Sequence, residues 1–127
     1  MDTLANLLIN IKNCEKVGKT EIISRPISKV STSVLKLMQE HGYIGEWEII
    51  DDGRGSVYKI TLVHRLNDCG PIKPRTPIRH NEIERWEKRY LPAQGFGIII
   101  LTSSKGIMTH QEAKKKGIGG KLLAFVY

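Results

Sequence analysis

Leu4, Leu7, Leu8 and Ile11 recur at i, i+3, i+4 and i+7, which lays one apolar stripe along a helix predicted over residues 2–17, from Asp2 to Val17, and closed by Gly18. Thr20-Glu21-Ile22-Ile23 reads as a short strand and Arg25-Pro26 as a break. Ser28 or Ser31 can accept from the free N–H groups at the start of a second helix, which carries Val30, Val34, Leu37 and Met38 and ends at Gly42. Residues 46–50 and 56–63 flank the turn Asp51-Asp52-Gly53-Arg54-Gly55 in a hairpin pattern. Within it, Trp47 and Ile49 alternate with Glu46 and Glu48, so one face of that strand is predicted wet and the other dry.

The periodicity stops over residues 65–80, where three prolines and a glycine fall close together, and the junction between two lobes is predicted there. Beyond it, Asn81 is placed to cap a short helix with Ile83, Trp86 and Tyr90 on one side and Pro92 as its stop. Residues 96–101 form an unbroken apolar run of strand length, predicted to be buried on both faces. A Thr102-Ser103-Ser104-Lys105-Gly106 loop leaves its end. Thr109 then stands where an N-cap belongs, with Glu112 three residues on, the spacing of a capping box for a short helix closing at Gly117. Residues 121–127 return as a strand beside 96–101, bringing the hydroxyl loop, the short helix and the Gly119-Gly120 pair onto one edge. The expected fold is α+β with two small lobes: N-terminal helices packed on a short sheet over 1–64, a connecting region over 65–80, and a mostly β lobe with a short helix over 81–127.

Charge sharpens this division. The net charge is +7. Residues 1–63 hold eight Lys/Arg against eight Asp/Glu, whereas residues 64–127 hold twelve against five, so the whole excess lies in the second half. That half attracts polyanions, and the first half reads as structural.

Other functional classes find little support. Cys14 falls on the helical pattern and Cys69 in the Gly/Pro-rich segment, so a buried thiol and a loop thiol are expected rather than a disulfide, in a reducing cytoplasm. The chain contains no run of 18 apolar residues, hence no predicted membrane helix. Gly117-Ile118-Gly119-Gly120-Lys121 fails as a phosphate loop, because Lys115 stands where its first glycine belongs and Leu122 where Ser or Thr should follow the lysine. As a dinucleotide fingerprint it fails too, since it follows a helix and opens a strand. A nucleophilic Ser103 would need a base, and His110, expected to face solvent, is the only one nearby. His41, His64, His80 and His110 are scattered without metal-ligand spacing. No cofactor and no small-molecule substrate are expected.

The chemistry concentrates in residues 102–121, which hold three small hydroxyls in a row and five lysines. Hydroxyls and bare backbone N–H groups suit ribose, phosphate and base edges; glycines let the backbone approach, and lysines add charge attraction. The aromatic residues lie mostly at core-patterned positions, which disfavours base stacking on an open sheet and favours shape readout of an irregular RNA helix through its 2′-hydroxyls. Lys114, Lys115 and Lys116 lie about a hundred degrees apart on a helix, so only one or two can touch phosphate.

The string T-S-S-K-G-I-M-T-H-Q-E-A-K-K-K-G-I-G-G-K-L-L-A-F-V-Y resembles the C-terminal signature of the small-subunit ribosomal protein family S-eight: S-T-S-K-G-[IV]-M-[TS]-x-x-E-A-R, a Gly-Gly pair, and an apolar strand ending in an aromatic. The first helix, Leu4 to Asn13, and the stretch from Pro26 to Ile44 are similar to the same family, so the likeness covers essentially the whole chain. It implies a ribosomal protein that binds the central domain of small-subunit rRNA, supports its folding during assembly, and neighbours other small-subunit proteins. Carried over by residue, it implicates Thr102, Ser103, Ser104, Lys105 and Gly106, then Thr109, Gly119 and Gly120, with Ser28 and Lys29 as a lesser contribution from the first lobe. Lys115, Lys116 and Lys121 join them as cations. The chain departs from the pattern in reading T-S-S for S-T-S, and Lys121 where bacterial relatives carry Glu. The insertion from Leu66 to Arg75 and the Gly-Gly-Lys run are similar to the archaeal and eukaryotic branch. The alternatives are a generic basic protein of double-stranded nucleic acid and, more weakly, a small hydrolase using Ser103.

Overall fold

The computed structural model describes residues 3–24, 27–51, 53, 55–73, 75–93 and 96–127, so the readings at Asp2, Arg25-Pro26, Asp52 and Arg54 lie outside the described residues. Among the described residues, four α-helices and two sheets, α+β as expected, are distributed over two compact units, Met1–Cys69 and Gly70–Tyr127.

In the first unit, α1 (Thr3–Lys16) buries Leu4, Leu7, Leu8 and Ile11, the stripe read from the sequence. Each such side chain contributes about 1.5–3 kcal/mol relative to exposure. Strand β1 (Glu21–Ser24) leads to α2 (Lys29–Glu40), whose N-cap Ser28 accepts a hydrogen bond from the Ser31 N–H at 3.1 Å. At the other end Gly42 adopts φ 79° and the Tyr43 N–H reaches back to the Met38 carbonyl at 2.9 Å. This left-handed stop requires a glycine where the sequence has one. Strands β2 (Trp47–Asp51) and β3 (Ser56–Thr61) form the expected hairpin, and β3 lies between β1 and β2, antiparallel to both. The dry face predicted for β2 is only partly dry: Trp47 is half-buried and Ile49 is 49% exposed, because β2 is the edge of its sheet.

The second unit is built on a sheet ordered β4 (Cys69–Pro71), β8 (Gly120–Val126), β6 (Ile98–Ser103), β7 (Gly106–Thr109), with β5 (Pro77–Ile78) also paired to β8. Helix α3 (Ile83–Tyr90) follows a 3-10 turn at His80–Glu82, and α4 (His110–Lys116) joins β7 to β8. Ile98 to Leu101 are all buried, but the predicted run is cut short at its start: Phe96 is exposed and β6 begins at Ile98. Ile99, Leu101, Met108, Ala113 and Leu122 meet in one core with Ile78 and Ile83. The β6–β8 register slips from Ile100↔Ala124 to Leu101↔Leu122, which makes Leu123 the extra residue of a bulge.

Three local readings need correction. Residues 65–80 are not mere connection, for they contribute β4 and β5. Asn81 sits inside the 3-10 turn, and neither that turn nor α3 has a side-chain cap. The thiols exchange roles: Cys69 is 1% exposed and donates to the Leu8 carbonyl, 3.3 Å away, whereas Cys14 is half-buried.

Candidate RNA interface

The row of hydroxyls is not a loose loop but the tip of a hairpin. β6 runs on through Thr102 and Ser103, Ser104 and Lys105 make the turn, and β7 starts at Gly106, with Ser103 paired to Gly106 and Thr102 to Ile107. Strand β7 escaped the sequence reading because Gly-Ile-Met-Thr carries no alternation of its own; pairing with β6 imposes its conformation. The only positive φ at the tip falls on Gly106, at 110°, a value L side chains rarely adopt. Ser103 is turned inward on its own turn: its hydroxyl accepts from the Lys105 N–H at 3.2 Å and donates to the Gly106 carbonyl at 2.9 Å. Sequence reasoning took Ser103 for a contact residue and missed this role. Serine at the first position of a turn with glycine at the fourth was the signal that could have found it. Ser104 and Lys105 are exposed and Thr102 half-exposed, so the tip presents the neighbours of Ser103 outward.

Thr109 is 1% exposed, and its hydroxyl accepts from the Glu112 N–H at 3.4 Å as the N-cap of α4. The capping role was read correctly; a surface role is not what this placement offers. The helix closes at Gly117, φ 65°, with Lys114, Lys115 and Lys116 in its last turn, where cations are favoured by the helix dipole. Lys115 and Lys116 are exposed. From Gly117 the chain needs only three residues to reach Gly120, and in the next register position Lys121 lies beside Thr102. The exposed Lys121, the hairpin tip and the C-terminal turn of α4 therefore share one end of the sheet.

Gly119 and Gly120 belong to the packing of this end. Neither has a positive φ. A Cβ on Gly119 would collide with the Ile78 carbonyl oxygen and come within 2.9 Å of Arg79 Cα; one on Gly120 would collide with the Thr102 carbonyl oxygen and come within 2.8 Å of Leu101 Cδ1. The pair, read from the sequence as letting the backbone approach RNA, is thus packed against the protein's own backbone: β8 starts pressed between β5 and β6.

The family model described as Ribosomal protein S8 matches residues 2–127. The chain belongs to the ribosomal protein S8 family. It is a small-subunit ribosomal protein that binds rRNA, a structural constituent of the ribosome and not an enzyme. Among the described residues no helix is long and apolar enough to cross a membrane.

Membership in the S8 family leaves the other candidate residues to be located. Ser28 and Lys29 stand at the start of α2 in the first unit, Lys29 exposed and Ser28 half-buried. The buried Tyr58 of β3 holds this turn: its hydroxyl donates to the Ser28 carbonyl at 3.1 Å and lies 2.7 Å from Thr32 Oγ1. The Ser28 hydroxyl is engaged with Ser31, so its side chain shapes the helix start and Lys29 is left outward. His110, expected in solvent, is 2% exposed instead, and its Nδ1 accepts from the Ile99 N–H at 3.0 Å. Ser103 is bonded within its own turn, so the pairing that a hydrolase would need is absent among the described residues. No group of three or more His, Cys, Asp or Glu suited to a metal ion occurs among the described residues.

Proposed function

We propose that this S8 family member binds the central domain of small-subunit rRNA through the β6–β7 tip and the adjoining lysine edge, and that it supports the folding of that domain during subunit assembly. The observation that carries the reading is the division of labour at the tip. Ser103 spends its hydroxyl on the turn, and this fixes Ser104, Lys105 and the Gly106 backbone in an outward arrangement before any RNA arrives. A pre-formed donor and acceptor set loses less entropy on binding than a flexible one. Thr102, Ser104, Lys105 and Gly106 are read as the contacts that recognise ribose and base edges. Lys115, Lys116 and Lys121 supply attraction to phosphate, and Lys29 with the Ser28 turn gives a lesser contribution from the first unit. Ser103, Thr109, Gly119 and Gly120 act by shaping the surface.

The insertion and Lys121 support placing the chain with the archaeal and eukaryotic branch. The experiment is a binding titration of the full chain against a central-domain rRNA fragment and against a random RNA duplex and a DNA duplex of equal length. Preference for the rRNA fragment is expected. Equal affinity for all three would leave a generic basic nucleic-acid binder.

A further inference from the structure

Beside the proposed RNA edge, the second unit holds a buried ionic cluster on α3 and α4. Glu87 of α3 is 8% exposed; its Oε1 is in contact with the Lys114 ammonium and lies 3.6 Å from His110 Nε2. On its other side His110 accepts the Ile99 N–H through Nδ1. A backbone N–H can only donate, so Nδ1 carries no proton and the ring proton sits on Nε2, facing Glu87. The ring is neutral, and the cluster balances as one carboxylate against one ammonium. The Glu87 oxygen joins α3 to α4, and the His110 ring carries the link on to β6. Lys114 is 32% exposed, so its head lies within reach of solvent yet is drawn to the buried carboxylate.

We propose that Glu87 is a positioning residue for the RNA-facing edge: it holds Lys114 inward, so that the last turn of α4 presents Lys115 and Lys116 to RNA and withholds Lys114. The inference rests on the reading that this edge binds RNA. The physical basis is the hundred-degree step between successive helix residues, which lets one lysine of the three point at α3 only if the other two point elsewhere. A carboxylate at that spot selects which one. Without Glu87, the Lys114 stem is long enough to swing its charge outward.

The test measures the salt dependence of binding to the central-domain fragment for the wild-type chain and for K114M, K115A and E87Q. Removing a lysine that neutralises one phosphate should flatten the log–log slope by about 0.7–0.9. K115A is expected to flatten it, K114M to leave it unchanged, and E87Q to steepen it as Lys114 is released. Flattening by K114M to the extent seen for K115A, or an unchanged slope in folded E87Q, would overturn the assignment. Melting temperatures without RNA probe the pair independently: E87Q, K114M and the double variant E87Q/K114M should show losses that fall short of additivity. Strictly additive losses would mean that the two side chains do not pair. Should E87Q fail to fold, the double variant E87M/K114M, with both charges replaced by apolar groups of similar volume, is expected to fold and keep the wild-type slope; a flattened slope there would count against the proposal. A flat slope in the wild-type chain itself would refute the RNA edge while leaving the Glu87–Lys114 coupling intact, so the two failures are distinguishable.

Discussion

The backbone of Gly120 lies so close to Thr102 that the Thr102 carbonyl oxygen occupies the place a Cβ would take. Gly119 meets the Ile78 carbonyl in the same way from the other side. The glycine pair thus clamps the first residues of β8 between two strands, and one of those strands ends in the hairpin tip. Spacing at this end of the sheet is set by contact between main chains rather than by side chains.

Gly120→Ala should therefore destabilise the protein itself. Forcing a methyl group against packed backbone costs about 1–3 kcal/mol, and the strain acts with or without RNA. Thermal unfolding of the free variant should show a clear loss of melting temperature; an unchanged melting curve would mean that β6 and β8 part without cost.

Ser103→Ala and Ser104→Ala should separate stability from recognition. The first variant loses two turn hydrogen bonds, each worth about 0.5–1.5 kcal/mol net, and should melt lower and loosen the tip. The second removes an exposed hydroxyl with no partner among the described residues, so its melting should stay near wild type while binding to the cognate rRNA fragment weakens by about 1–2 kcal/mol. Equal losses for Ser104→Ala on cognate and random RNA would remove the tip from the specific contacts.

Affinity should fall steeply with salt, since each neutralised phosphate releases counterions with a log–log slope of about −0.7 to −0.9. Lys105→Ala, Lys116→Ala and Lys121→Ala should each flatten that slope and weaken all RNAs alike. Titrations at four or five salt concentrations decide it, and a slope that ignores all three substitutions would place the contact surface elsewhere.

Burial, followed by the neighbouring Asp68 carboxylate, pushes the Cys69 thiol up from 9.0 to about 12. In the unfolded chain the thiol ionises near its ordinary value, whereas in the folded chain it stays protonated, so unfolding releases a proton over this range. The contribution is fully present below about pH 9 and is lost as pH rises toward 12. Urea midpoints of wild type and Cys69→Ala, compared from pH 8 to 11, should converge as the wild-type advantage shrinks; a constant gap would contradict the buried thiol. Consistently, a thiol reagent on the native protein should modify the half-buried Cys14 well before Cys69.

The sequence by itself determined what depends on near neighbours: the α1 stripe, the Ser28 and Thr109 caps, the glycine stops at Gly42 and Gly117, the apolar strand of β6, and the basic excess of the second half. Each follows from spacing within about one turn or one strand, where chain stereochemistry needs no partner. The hydroxyl-rich tip was legible as a place, through its residue types and the family likeness, but not as a geometry. Only the tertiary structure decided that Ser103 faces its own turn, that Gly106 opens a strand, and that Gly119 and Gly120 are pressed on Ile78 and Thr102. It also decided that His110 and Glu87 meet inside, and that Cys69 rather than Cys14 is buried. These outcomes depend on residues tens of positions apart being brought to within a few ångströms by strand pairing and core packing, and no local periodicity encodes which distant backbone or carboxylate will fill the space beside a given side chain.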